Sequence, residues 1–347
     1  MVVITGGGTG GHFYPAISLA ESIRKDGIKV HYIGSTQGVE QTLIKEFMIP
    51  YDLLDIKPYS MKNLVKNALE TIKAYKVVSR VKPSVIVGFG GYVMVPVIIS
   101  SLLKKVPFIL HEQNVVPGRA NKMFSKWASK ITTGFKETDK PFSNSRAIYT
   151  GTPIREEFYS VSKEEVLKDY GFIGGKPVIL VLGGSKGSRF LNKIAGEVLP
   201  ILLSNNDFYA IHLTGKDDYE EIVSICNNHK LSTRWKVHPF LHEIWNAIAC
   251  SNVVLTRGGG SVLAELARFR VKAIVVPYPY AINDHQYYNG KSYIRDYGGF
   301  LLRETECEVV ELEKKILNLL EFNSNGSKLP EKDEATETLK GILKQYL

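Results

Sequence analysis

Residues 2–20 read VVITGGGTGGHFYPAISLA. A β-branched run enters a glycine-rich turn and an apolar helical stretch leaves it, the strand–turn–helix opening of a doubly wound α/β domain. By spacing alone, Gly6-x-Gly8-x-x-Gly11 is the dinucleotide fingerprint. That fingerprint also requires an acid at the end of the second strand to hold the ribose. The second strand here, VHYIG (30–34), runs into Ser35-Thr36 with no carboxylate. The nearest, Glu40, lies beyond another glycine and inside the next predicted helix, and no Arg stands at the turn for a 2′-phosphate. A nicotinamide cofactor is therefore not expected. His12 follows the loop at once, and Pro15 is expected in the first helical turn. A histidine there can donate to an anion or act as a base near neutral pH, or it can cap and pack the helix start.

Outward from this segment, short β-branched runs alternate with amphipathic helical stretches, which predicts parallel sheets. Strands are expected at 2–5, 30–34, 85–89, 108–111 and 147–151, then at 178–183, 209–215, 253–257 and 273–277. The second set restarts the first pattern with VILVLGGSKGSRFLNKIA, after a plausible boundary at Gly151-Thr152-Pro153 and the polar stretch 155–165. Two similar doubly wound domains are predicted. Three glycine loops follow strands: 6–11, 183–187 and 258–260. Glycine permits positive φ and close approach to an anion, and the following helix aims its N–H groups and dipole at it. Three such loops favour a phosphorylated ligand without identifying it.

With 347 residues, 44% of them hydrophobic and 23% charged, the chain suits two soluble domains. Cys226, Cys250 and Cys307 form no pair or ligand pattern, which suggests a reducing compartment. No signal peptide is expected, since the first residues run straight into the glycine turn, and the longest apolar stretch, 92–103, contains Pro96 and is too short to span a bilayer. The net charge of +9 is localised: residues 1–160 hold 21 Lys and Arg against 12 Asp and Glu, whereas residues 161–347 hold 23 of each. Such a field attracts nucleic acid, phosphoesters or an anionic membrane, and no aromatic interleaving or nucleic-acid module supports the first.

Residues 61–80 place Met61, Leu64, Val65, Ala68, Ile72, Tyr75 and Val78 at helical spacing, with Lys62, Lys66, Lys73, Lys76 and Arg80 on a different face. This pattern suits a helix packed by its apolar stripe with a solvated basic face, or a surface that meets anionic lipid.

In TRGGGSVLAE (256–265), Glu265 falls in the first turns of the helix after a glycine loop. A carboxylate there can accept both hydroxyls of a ribose, and it also simply complements the helix dipole. Asp284-His285-Gln286 forms a polar cluster suited to hydroxyl groups. No Asp-x-Asp triplet occurs in the chain, so a metal clamp on a diphosphate is not indicated.

Taken together, GGGTGGHFYPAISLA, FGGYVMVP (89–96), LHEQNVVPGRANK (110–122), GTPIR (151–155), GGSKGSR (183–189), TRGGGSVLAELA (256–267) and DHQYYNG (284–290) resemble the MurG family, the bacterial N-acetylglucosaminyltransferases that convert lipid I to lipid II. The resemblance implies an α/β GT-B fold, two Rossmann-like domains facing a cleft. Residues 1–158 would bind acceptor and membrane, with a terminal helix 333–347 packing back on them, and residues 159–332 would bind the UDP-sugar. It implies inverting transfer from UDP-GlcNAc to the 4-hydroxyl of the lipid-linked muramoyl pentapeptide, with no cofactor.

Residue by residue, the resemblance places Thr9, Gly10, Gly11 and Asn114 at the acceptor diphosphate and transfer centre. It makes His12 the general base and leaves Glu112 in reserve. Arg155, Ser185, Leu241, Ser261, Val262, Leu263, Ala264, Glu265 and Gln286 would bind the donor. His285 stands where some members carry a second Gln, and Lys186 where some carry Gln. The implied partners are UDP-GlcNAc, lipid I, an anionic membrane surface met by Lys62, Lys66, Lys73, Lys76 and Arg80, and other cell-wall synthesis proteins. The implied location is the cytoplasmic face of the bacterial membrane. Another GT-B lipid glycosyltransferase and a non-catalytic nucleotide-sugar-binding membrane subunit are the rival readings.

Overall fold

The computed structural model describes residues 1–139, 142, 147–184, 186–321, 329 and 332–347. It divides into two compact units, Met1–Glu156 with Lys332–Leu347, and Glu157–Glu331.

The first unit is a parallel sheet of seven strands: β1 (Val2–Thr5), β2 (Val30–Ser35), β3 (Tyr51–Leu54), β4 (Val85–Gly88), β5 (Phe108–Glu112), β6 (Lys130–Thr133) and β7 (Ala147–Tyr149). Their spatial order is β3-β2-β1-β4-β5-β6-β7. The second unit is a parallel sheet of six: β8 (Val178–Leu182), β9 (Tyr209–Leu213), β10 (Trp235–His238), β11 (Val253–Thr256), β12 (Lys272–Val275) and β13 (Gly299–Leu301), in the order β10-β9-β8-β11-β12-β13. Central strands such as VVIT and VILVL are buried throughout, as expected where helices cover both faces of a sheet. Strand order reverses between β1 and β4 in one unit and between β8 and β11 in the other. These are the topological switch points where doubly wound folds bind ligands, beyond the carboxyl ends of the strands.

β3, β6, β10 and β13 are strands beyond those expected from sequence. The helix Gly10–Lys25 opens at Gly10, so Pro15 lies inside it rather than in its first turn. The terminal helix Glu334–Leu343 belongs to the first unit. Its Leu339, Ile342 and Leu343 join Val2, Ile4, Phe13 and Ile17 in one core, and Asp333 accepts the Ile154 N–H at 3.2 Å.

The helix Leu64–Val81 turns the opposite way from a core-packed stripe. Met61, Leu64, Val65, Ile72 and Tyr75 are exposed, with Val65 at 76%, while Asn67, Glu70, Ala74 and Val78 face inward. Two polar side chains can occupy that face because each has backbone partners. Glu70 accepts the Asp55 N–H at 3.0 Å, and Asn67 both accepts from Lys57 N and donates to Lys57 O, at 3.1 and 3.0 Å. Among the described residues, no helix is long and apolar enough to cross a membrane.

Candidate active site

The first unit's switch point gathers the loops after β1, β4 and β5. After β1, Gly6 and Gly8 hold φ of +155° and +83°. A Cβ at Gly6 would lie 2.8 Å from Phe89 Cβ, so the glycine brings the loop against the end of β4. The loop's anion comes from within the chain. Glu40, fully buried, accepts the Gly8 N–H with both oxygens, at 2.9 and 3.0 Å, and the Ser35 N–H at 3.0 Å. The acid that the dinucleotide reading lacked is thus turned into the glycine loop, away from any ribose position. Thr9 and Gly11 are exposed at the helix start, Gly10 is buried, and His12 is half-buried.

His12 rests against the loop after β4. Cβ atoms at Gly90 and Gly91 would lie 3.2 Å from His12 Cε1 and 3.3 Å from Cδ2, and both glycines have positive φ. This accounts for the FGG of the 89–96 motif. On its other side, His12 Nδ1 lies 3.3 Å from Gln113 Oε1. Gln113 was not singled out from sequence, although it stands inside the HEQN block. Neighbouring His111 is fully buried, and burial, reinforced by His12, pushes its pKa down to about 3, so it stays neutral.

Glu112 has a different place from that of a reserve base. Its buried carboxylate accepts Asn114 N and Nδ2 at 3.0 Å each, Gly118 N at 2.8 Å and Asn121 Nδ2 at 2.8 Å. With four internal donors on its two oxygens, it ties the loop after β5 together. Asn114 is held by that same carboxylate. Arg155 belongs to the first unit, its guanidinium 4.4 Å over the Tyr14 ring.

The second unit's switch point carries the other two glycine loops. Gly187 has φ of +77°, and its Cβ would lie 1.9 Å from Thr214 O, so the turn before the helix Arg189–Asn205 requires glycine for packing. Ser188 caps that helix, and Ser185 lies outside the described residues. Arg257, unremarked in the sequence reading, joins the loops: Nε donates to Ser188 Oγ at 3.0 Å, Nη1 to the Val276 and Pro277 carbonyls, and Nη2 to Glu304 at 2.6 Å.

Gly258 is similarly enclosed. Its N–H donates to Gln286 Oε1 at 3.2 Å, and its carbonyl accepts from Asn289 Nδ2 at 2.9 Å. Gln286 Oε1 also accepts the Tyr278 N–H at 2.9 Å, so the Gln286 carbonyl oxygen braces backbone. Asn289 is one helical turn from Gln286 on the same face, a spacing that could have flagged it.

In the helix Gly260–Phe269, Ser261, Val262 and Ala264 are half-buried and Glu265 is 8% exposed. The Leu263 side chain is buried, and its N–H bonds to Gly259 O at 3.0 Å. Leu241 is half-buried in the loop beyond β10, and His285 Nδ1 donates to Ile282 O.

The glycosyltransferase family 28 N-terminal domain matches residues 2–133, and the C-terminal domain of that family matches 178–346. A Halothermothrix orenii protein named UDP-N-acetylglucosamine--N-acetylmuramyl-(pentapeptide) pyrophosphoryl-undecaprenol N-acetylglucosamine transferase is 34% identical, over 97% of this chain and 94% of its own. A Thermodesulfovibrio yellowstonii protein of the same name is 35% identical, over 92% and 89%. The chain belongs to the MurG family. The crystal structure of Acinetobacter baumannii MurG superposes with a TM-score of 0.74 at 24% identity, covering 99% of each chain, and the fold is GT-B. MurG membership corresponds to the paired switch points, one per family 28 domain.

The five cations expected at a membrane surface divide. Lys66, Lys73 and Arg80 pair with Asp55, Glu70 and Asp52 at 2.5, 2.6 and 2.5 Å, whereas Lys62 and Lys76 are exposed beside the outward apolar stripe.

Proposed function

We propose that the chain transfers N-acetylglucosamine from UDP-GlcNAc to the 4-hydroxyl of undecaprenyl-diphospho-N-acetylmuramoyl-pentapeptide, converting lipid I to lipid II with inversion. The observation that carries this reading is full-length similarity to transferases named for that donor and acceptor, at 34% identity. An inverting displacement needs a base for the acceptor hydroxyl and stabilisation of the departing UDP. His12 is the base. As the 4-oxygen bonds to the anomeric carbon, its proton passes to the imidazole, the carbon–oxygen bond to UDP breaks, and the electron pair leaves on the diphosphate.

The donor diphosphate would lie at the N-termini of the helices Arg189–Asn205 and Gly260–Phe269, where N–H groups and dipoles meet developing charge. Ser185 and Arg155 would add contacts to phosphate. Glu265 would hold the ribose, the Leu241 backbone the uracil, and the Gln286 NH₂ a sugar hydroxyl. Thr9, Gly10 and Gly11 would receive the acceptor's diphosphate, with Asn114 lining the same site.

The outward stripe of Met61, Leu64, Val65, Leu69 and Ile72, with Leu103, Lys62, Lys76 and Lys104 near it, is our candidate for contact with an anionic bilayer. Apolar insertion would supply most of the binding, and each nearby cation about 1 kcal/mol. A lipid acceptor and a nucleotide-sugar donor together support a location at the cytoplasmic face of the membrane.

The test is UDP release by the purified chain with and without a lipid I analogue, with UDP-glucose and UDP-GalNAc as comparison donors. Acceptor-dependent release that prefers UDP-GlcNAc is expected. Nucleotide binding without turnover of any donor would overturn the transferase reading in favour of a binding subunit.

A further inference from the structure

We propose that Gln113 is the positioning residue that fixes the tautomer of His12, so that Nδ1 carries the proton and Nε2 is the nitrogen that takes the acceptor's proton. This rests on the reading of His12 as the base. Gln113 follows β5 directly and is 2% exposed, so both ends of its carboxamide must find partners inside the protein. One end is decided by chemistry: Nε2 donates to the Phe89 backbone carbonyl at 2.9 Å, and a carbonyl can only accept. The reverse orientation would set two acceptors against each other.

The atom facing His12 Nδ1 at 3.3 Å is then Oε1, which can only accept as well. A neutral imidazole meeting that oxygen must place its hydrogen on Nδ1, leaving the lone pair on Nε2. The ring plane is held by the same segment that anchors the amide. Phe89 supplies the carbonyl, and the next two residues, Gly90 and Gly91, are the glycines against which the imidazole lies.

During transfer, the proton leaves the 4-hydroxyl for Nε2 as the new glycosidic bond forms. The imidazolium keeps its Nδ1–H on Gln113 Oε1, so no proton crosses to the amide. A tautomer with hydrogen on Nε2 would present a donor to the hydroxyl and could not accept.

The experiment is ¹⁵N–¹H long-range correlation of the imidazole nitrogens in the full-length protein, labelled at histidine and held above the imidazole titration. His12 is assigned by the signals lost in His12→Ala. Wild-type protein should show Nδ1 protonated and Nε2 unprotonated at His12. Gln113→Leu should shift both signals toward a tautomer average and lower kcat about 10–100-fold, with KM for UDP-GlcNAc within about twofold. Gln113→Glu keeps an acceptor toward His12 and should retain the Nδ1–H signature, at a cost in stability from the oxygen it sets against the Phe89 carbonyl.

An Nε2–H tautomer in wild-type protein overturns the proposal without recourse to any variant. An unmoved tautomer and kcat in Gln113→Leu, with His12→Ala inactive, overturns it while leaving His12 as the base. Full kcat in His12→Ala removes the base itself, and the proposal with it.

Discussion

The Glu40 carboxylate receives the Gly8 N–H on both of its oxygens, at 2.9 and 3.0 Å, where Gly7 and Gly38 have no room for side chains. A loop whose spacing advertises a phosphate thus carries an internal anion. The carboxylate sets the loop's shape just ahead of Thr9, Gly10, Gly11 and His12, which leaves the helix start, rather than Gly8, as the part that can meet a ligand.

Removing that anion leaves the Gly8 and Ser35 N–H groups without their acceptor. Glu40→Ala is expected to cost about 1–3 kcal/mol of stability. Burial holds Glu40 above its ordinary value of 4.5 despite the N–H groups around it. The folded state therefore binds this proton more tightly than the unfolded chain does. The group's contribution is fully present below the unfolded value and is lost as pH rises through the raised folded value. Denaturant melts across that window should show this decline in wild-type protein and its absence in Glu40→Gln. The same pH dependence in both would disconnect the carboxylate from folding.

Gly258 gives both of its backbone polar groups to one helix face, to Gln286 and Asn289. Asn289→Ala should lower stability by about 1–3 kcal/mol, because the buried Gly258 carbonyl loses its donor. It should also raise KM for UDP-GlcNAc, since the same loop leads into the helix with Ser261 and Glu265. Gly258→Ala should be worse, its Cβ falling 2.1 Å from Gln286 O. Thermal melts with UDP-GlcNAc titrations decide this, and an unchanged KM in a destabilised Asn289→Ala would confine the contact to folding.

Legibility followed apolar composition more than burial: the edge strand β7 (AIY), with no fully buried residue, is expected from sequence, whereas β6, buried at three of its four residues, is not. β1, β4, β8 and β11 are apolar runs covered on both faces, and their sequences announce them. β3 (YDLL), β10 (WKVH) and β13 (GFL) are short sheet edges with mixed residues, and β6 (KITT) lies next to an edge. The glycine loops were visible as turns, but their occupants were not. Glu40 is 32 residues from Gly8 and Gln286 is 28 from Gly258, distances that only tertiary packing closes. The helix Leu64–Val81 shows its period in sequence but not its direction. Asn67 and Glu70 face inward only because the 55–57 backbone supplies their partners.

That direction makes the membrane proposal testable. Val65→Asp with Ile72→Asp alters exposed side chains, so stability should stay within about 0.5 kcal/mol. Binding to vesicles of anionic phospholipid should fall at least about tenfold, while turnover of a short-chain soluble acceptor is kept. Lys62→Ala with Lys76→Ala should weaken vesicle binding less, and mainly at low salt. Vesicle flotation reads both, and undiminished binding of the double Asp variant would discard this surface.

Arg303 grips Asp284 with two hydrogen bonds, at 2.9 and 2.6 Å, and lies 4.1 Å over the Tyr287 ring. Asp284 and Asn283 are consecutive non-glycine residues at φ of +54° and +52°, a left-handed conformation that Asn and Asp tolerate better than other residues bearing a side chain. The turn they form launches the helix that carries Gln286. Both partners of the ion pair are over a third exposed, so its electrostatic contribution to stability is at most about 1 kcal/mol. Its larger effect should be geometric. Without the fork, the turn can relax toward ordinary backbone angles and carry Gln286 away from Gly258 and Tyr278. Arg303→Met is therefore expected to shift the melting temperature by only a few degrees while raising KM for UDP-GlcNAc several-fold. Arg303→Lys, which keeps the charge but not the two-pronged grip, should resemble Met more than wild-type protein. Donor titrations beside thermal melts separate the outcomes: a large loss of stability at constant KM would assign the clamp to the fold alone.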